Sequence, residues 1–124
     1  MCSSISEVAG LRLDELQKKV DEFEKARGWE KFRESLIYAH LIEELTEIGR
    51  FILAKEGYKR ADLGHSSPGD DIGSEFAQSL TLLIQLANRF GVDLEDALEK
   101  ELAKMERRFN PKEWTKALSS GGET

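Results

Sequence analysis

Cysteine, basic charge and long apolar runs are all scarce in this 124-residue chain, and each shortage excludes something. A single cysteine, Cys2, cannot form an internal disulfide, which fits a reducing cytoplasm. Nothing beside it would lower its thiol pKa, so Cys2 is not read as a nucleophile. Acidic residues outnumber Lys and Arg, 24 to 18, giving a net charge of −6 and a pI near 5.0. That balance argues against a nucleic-acid polymer as partner, which calls for a basic surface. A small phosphorylated ligand stays open, because a local basic cluster or a metal suffices for it. No apolar run approaches a membrane span. The N-terminus lacks the basic start and apolar stretch of a signal peptide. No segment reads as a strand, and no internal repeat is present.

What the chain does have is helical periodicity. The stretch from Leu36 to Leu53 places Tyr38, Leu41, Ile42, Leu45, Ile48, Phe51 and Ile52 in one broad arc, at about 100° per residue. Glu44 lies inside the edge of that arc, with Glu47 and His40 just beyond it. A carboxylate on the buried side of a helix is costly unless a metal, a basic side chain or a proton compensates it.

Taken in order, the pattern predicts a first helix capped by Ser6 and running to about Arg27, with Gly28 as its stop. Trp29 and Phe32 read as packing anchors at the start of a second helix that ends near Gly57. Residues 58–73 form a loop dense in turn formers. A third helix, capped by Asp70 or Asp71, reaches Phe90, with Phe76, Leu80, Leu83, Leu86, Ala87 and Phe90 as its arc. Glu75 falls within that arc and Gln78 at its border, so the anomaly repeats. Asp93 caps a fourth helix through about Phe109, whose stripe is Leu94, Leu98, Leu102, Met105 and Phe109. Lys104 and Arg108 share one flank of it. Asn110-Pro111 breaks the helix. A short helical piece around Trp114 follows, and Ser119 to Thr124 read as a disordered tail. The expected fold is all-α, an antiparallel bundle of about four helices over residues 1–110. Its apolar faces exceed what one short bundle covers, so oligomerisation is expected. Residues 111–124 form the appendage.

Glu44 and Glu47 on one helix, and Glu75 and Gln78 on the next, are each three residues apart. Antiparallel neighbours would bring the pairs face to face. Three carboxylates and an amide oxygen suit a hard cation, Mg²⁺ or Mn²⁺, rather than zinc. The competing reading pairs Glu44 and Glu75 with Lys104 and Arg108 as buried ion pairs of purely architectural use.

Glu43-Glu44-Leu45-Thr46-Glu47, Glu75-Phe76-Ala77-Gln78, the segment from Leu86 to Leu94 and Lys104-Met105-Glu106-Arg107-Arg108-Phe109 together resemble the MazG-like all-α nucleoside triphosphate pyrophosphohydrolases. The family pattern is EExxE, then ExxD, then a basic pair four residues apart. The similarity spans about residues 11 to 109. The resemblance implies hydrolysis of a nucleoside triphosphate, often a non-standard or deoxy form, to a monophosphate and pyrophosphate in the cytoplasm. It assigns Mg²⁺ to Glu44, Glu47, Glu75 and the position of Gln78, and outer phosphates to Lys104 and Arg108. His40 stands one turn before the first motif and reads first as a polar packing residue at the pocket edge, which would touch phosphate if its imidazole were protonated. Glu43, Glu44 or Glu47 would orient the attacking water. The implied assembly is a homodimer or homotetramer. The departure is Gln78, where the family has Asp: an amide offers an oxygen without charge. The alternative is therefore a catalytically weak or inactive member that binds nucleotides or serves a structural role.

Overall fold

The computed structural model describes residues 11–69 and 71–121. It is all-helical, with no strand among the described residues. Helix α1 spans Leu13–Lys25, α2 Glu34–Lys55, α3 Ile72–Arg89, α4 Leu94–Arg108 and α5 Pro111–Gly121. Short 3-10 turns lie at Trp29–Lys31 and Ala61–Leu63. No described helix is long and apolar enough to cross a membrane.

The helix ends follow side-chain chemistry more closely than the periodicity does. The Ser6 cap lies outside the described residues. Helix α1 starts at Leu13, because the Glu15 carboxylate accepts the Arg12 backbone N–H at 2.9 Å and closes the first turn there. Gly28 takes a left-handed φ of 72°, which only glycine adopts without strain, and separates α1 from the next turn. The expected second helix is split. Trp29–Lys31 form a 3-10 turn, Phe32 and Arg33 are extended, and α2 begins at Glu34. Asp71 caps α3 through Ser74 N–H at 3.1 Å, and Asp93 caps α4 through Asp96 N–H at 3.2 Å, as their residue types predict. The Asn110 side chain accepts from Lys112 and Glu113 N–H. That cap starts α5, which continues to Gly121, so Ser119 and Ser120 are helical rather than tail.

Helices α2 and α3 make the most extensive contact, α1 packs on α3, and α4 on α1. The α2–α3 seam is antiparallel. Ile37 and Leu41 cluster with Leu82, and Leu86 packs against them. Further along α2 and further back along α3, Glu44 meets Glu75. The buried stripe of α2 is Ile37, Leu41 and Ile48, with Glu44 between the last two. Its counterpart on α3 is Glu75, Ser79, Leu82 and Leu86. Both stripes advance by four, three and four residues, the spacing of a helix–helix seam.

The other half of each arc stays uncovered in the single chain. Tyr38, Ile42, Leu45 and Ile52 on α2 are exposed, as are Phe76, Leu80, Leu83 and Phe90 on α3. The α3 arc expected as core is thus mainly a bare face, and α3 buries Ser79, Leu82, Ile84 and Gln85 instead. Angular spacing reports which residues share a side, but not how much of that side a neighbour reaches. The α4 stripe is likewise open at Leu98, Leu102, Met105 and Phe109.

At the other end of the seam, α1 is tied to the α3–α4 turn. The Gln17 amide donates to Asn88 Oδ1 at 2.9 Å and to Val92 O at 2.8 Å, and its oxygen accepts Leu94 N–H at 2.9 Å. Arg12 adds an ion pair to Glu95 at 3.2 Å. These bonds satisfy backbone groups where one helix ends and another begins.

Candidate functional site

Glu44 and Glu75 come from the two stripes just described, so their carboxyl groups are held in the helix–helix seam. The Glu44 side chain is 14% exposed. One oxygen of each, Oε2, is buried with no hydrogen-bond partner, and so is the Ser79 hydroxyl one turn along from Glu75. Burial raises the Glu75 pKa above the ordinary carboxylate value; the charge of Glu44, a hydrogen bond to its carboxyl, and the charges of Glu47 and Asp71 raise it further. Neither carboxylate has a Lys or Arg partner among the described residues, so the buried ion-pair alternative is absent here.

The remaining predicted residues are distributed around this pair. His40 Nε2 stands 4.0 Å from Glu44 Oε1, one turn earlier on α2. Glu47 is turned to Arg50 at 3.1 Å, and Arg50 also donates to Ser67 O at 3.3 Å, which ties α2 to the loop before α3. Glu43 is exposed. Gln78 donates from Nε2 to Ser74 Oγ at 3.1 Å, and its carbonyl oxygen accepts no hydrogen bond from the described residues. Lys104 and Arg108 lie exposed on α4, and no ion pair or hydrogen bond joins either to the glutamates among the described residues. Arg108 stacks over Phe109 at 5.2 Å. No group of three or more described Asp, Glu, His or Cys residues is arranged to hold one metal ion. The structure therefore brings together Glu44 and Glu75, with His40 beside them, and leaves Glu47 and Gln78 engaged with their own neighbours.

Two contributors were not visible as such in the sequence. Asp71 was expected only as a cap, yet its charge reaches Glu75; its place four residues before Glu75 was the available signal. Ser79 carried no signal, since a lone serine within an apolar helix is ordinary.

Beside the acids opens a cleft of 630 Å³ between α1, the Trp29–Lys31 turn, α2 and α3. Phe23, Trp29, Phe32 and Leu36 form its apolar rim, and His40 and Gln78 line it toward the acidic pair. Trp29 and Phe32, expected as packing anchors, are 40% and 52% exposed. Their position is fixed from behind. Arg89 donates to the backbone oxygens of Trp29 at 2.9 Å and Phe32 at 2.5 Å, and pairs with the buried Glu24 at 3.3 Å. Phe23 meets Trp29 edge to face at 5.6 Å.

Compared with known proteins, the chain is 29% identical over 103 residues to the uncharacterized protein YvdC of Bacillus subtilis, covering 80% of this chain and 97% of that one. No family model matches the chain. No solved structure matches it.

Proposed function

We propose that this protein is a Mg²⁺-dependent nucleotide pyrophosphohydrolase that converts a nucleoside triphosphate to its monophosphate and pyrophosphate. The observation that carries the reading is the meeting of Glu44 and Glu75 across the α2–α3 seam, each with a buried, unpartnered oxygen. Two carboxylates in a low-dielectric setting repel each other and lose hydration. They are stable together only with a shared proton or a cation between them. The donor set is all oxygen, which fits a hard divalent ion and not zinc. Glu44 and Glu75 would hold the ion, with Glu47 and the carbonyl of Gln78 completing the set after release from Arg50 and Ser74. Bound there, Mg²⁺ supplies charge neutralisation for phosphate oxygens.

The chain's own residues supply the rest. Glu43 is unencumbered, and together with Glu44 and Glu47 it offers carboxylates on one helix to orient water. His40 donates a hydrogen bond to a phosphate oxygen when protonated. Lys104 has no partner among the described residues and is free to meet the outer phosphates, as is the guanidinium of Arg108. The exposed apolar stripes of α2 and α3 support assembly as a homodimer or homotetramer, since contiguous bare apolar surface of this kind marks an interface.

One observation favours the weaker alternative, a nucleotide-binding or structural protein without turnover. Gln78 brings no charge, and its amide is already bonded to Ser74. Pyrophosphate release from a nucleotide panel with Mg²⁺ or Mn²⁺ decides between them. Turnover is expected from wild type, with Glu44→Ala and Glu75→Ala falling below detection while keeping their helical circular dichroism. Absence of turnover in folded wild type, with no gain in Gln78→Asp, overturns the enzymatic reading.

A further inference from the structure

The cleft contains a polar group that the acids do not use. Gln85 on α3 is 4% exposed, lines the cleft, and its amide makes no hydrogen bond with any described residue. Its oxygen and nitrogen are not among the buried polar atoms left without a partner, so they face the open cleft. The group is thus set to bond something that enters. With it the cleft is lined by the aromatic rings of Phe23, Trp29 and Phe32 and by Glu24, whose carboxylate Arg89 holds, and Arg89 fixes two of these three rings through their backbone oxygens. A primary amide presents a donor and an acceptor side by side. The ligand that fits is a planar ring with a donor and an acceptor on one edge, which is the chemistry of a nucleobase.

The placement along α3 agrees. Ser74, Gln78, Thr81 and Gln85 all line the cleft, in steps of four, three and four, so it follows one face of the helix. From Gln85 back to Glu75 is ten residues, about 15 Å of helix. That run has room for one nucleotide, with its base at the aromatic end and its phosphates at the acidic end. We infer that Gln85 reads the base edge of the nucleotide, a specificity role that rests on the nucleotide reading proposed above. Gln85 contacts the base and takes no part in the cleavage.

The test separates the two readings. Trp29 and Trp114 are the two tryptophans, so a Trp114→Phe protein reports on the cleft through Trp29 fluorescence. It is titrated with free nucleosides in EDTA, where neither metal nor phosphate contributes. Saturable quenching that differs between bases is expected. In Gln85→Met, affinity for the preferred nucleoside should fall roughly tenfold or more, the loss expected when a bidentate amide–base pair is removed, while the others change little. Gln85→Leu, checked by circular dichroism, covers the case in which methionine perturbs folding. If no nucleoside quenches Trp29, or if both Gln85 variants lose all nucleosides equally, the assignment of Gln85 is overturned even when the protein hydrolyses nucleotides. If base-selective, Gln85-dependent quenching occurs without pyrophosphate release, the assignment of Gln85 holds and the hydrolase reading falls.

Discussion

Helix α3 carries a buried-acid site near each end, and the two are built differently. Near its C-terminus Glu24 of α1 is 2% exposed but meets Arg89, which also pairs with Glu34 at 3.3 Å and holds two backbone oxygens. Near its N-terminus Glu75 meets Glu44, and no Lys or Arg among the described residues pairs with either. Burial raises the pKa of both Glu24 and Glu75. At Glu24 the nearby Arg89 works against that rise, while at Glu75 every further neighbour adds to it. The first site is closed by a cation within the chain, and the second is a carboxyl pair held together by a raised proton affinity. The contrast separates an acid that serves the fold from an acid pair free to serve a ligand.

Removing the cation from the first site should give the largest effect. Arg89→Ala leaves Glu24 buried alone and frees the Trp29 and Phe32 carbonyls, so a loss of about 3–5 kcal/mol is expected in denaturant unfolding. Glu75→Gln should have the opposite sign, because it removes a repulsive charge from the seam. A destabilised Glu75→Gln would mean that Glu75 has a stabilising partner, and the two sites would then be alike.

Next comes packing within the seam. Leu82→Ala should cost about 2–5 kcal/mol, since Leu82 sits between Ile37, Leu41 and Leu86. Leu80→Ala removes a side chain that is 50% exposed. It should cost no more than about 0.5 kcal/mol at protein concentrations where the chain is alone. A larger loss at Leu80 that grows with concentration would show a second copy covering that face.

These variants also mark where the sequence was legible. The helices and their caps at Asp71 and Asp93 followed from residue type, because a cap is a local bond. The misplaced acids were visible because Glu44 and Glu75 fall within apolar arcs, although on α3 most of that arc is the bare face and Glu75 lies on the seam beside it. What spacing cannot carry is the extent of coverage: Leu80 and Leu82 belong to one apolar helix, and only the position of α2 makes one core and the other surface. The Trp29–Lys31 turn was hidden for a similar reason. Arg89, distant in sequence, captures the carbonyls that an α-helix would have used. Gln85 gave no signal at all, since a glutamine in a helix is ordinary until its surroundings are known.

A smaller effect concerns the ion itself. With Mg²⁺ at a hundred times its dissociation constant, wild type should gain about 2.7 kcal/mol, seen as a rise in Tm. Glu75→Gln and Glu44→Gln should gain much less, and Arg89→Lys should respond like wild type. An equal rise in all of them would locate the ion elsewhere.

The smallest effect is the dependence on pH without metal, and its sign follows from the direction of the shift. In the folded chain Glu75 keeps its proton to a higher pH than in the unfolded chain, where it titrates near 4.5. Above that value the folded state binds more protons, so the contribution of Glu75 to stability is present in acid and fades as pH rises through the folded pKa. Glu24 shifts in the same direction, so the wild-type curve alone does not separate them. The difference between Glu75→Gln and wild type does, because Glu24 is common to both. That difference should grow in favour of the variant from about pH 4.5 upward, and saturating Mg²⁺ should reverse it at neutral pH. Parallel curves from acid to neutral pH would mean that Glu75 does not feel Glu44, and the acidic pair would then have no need of a cation.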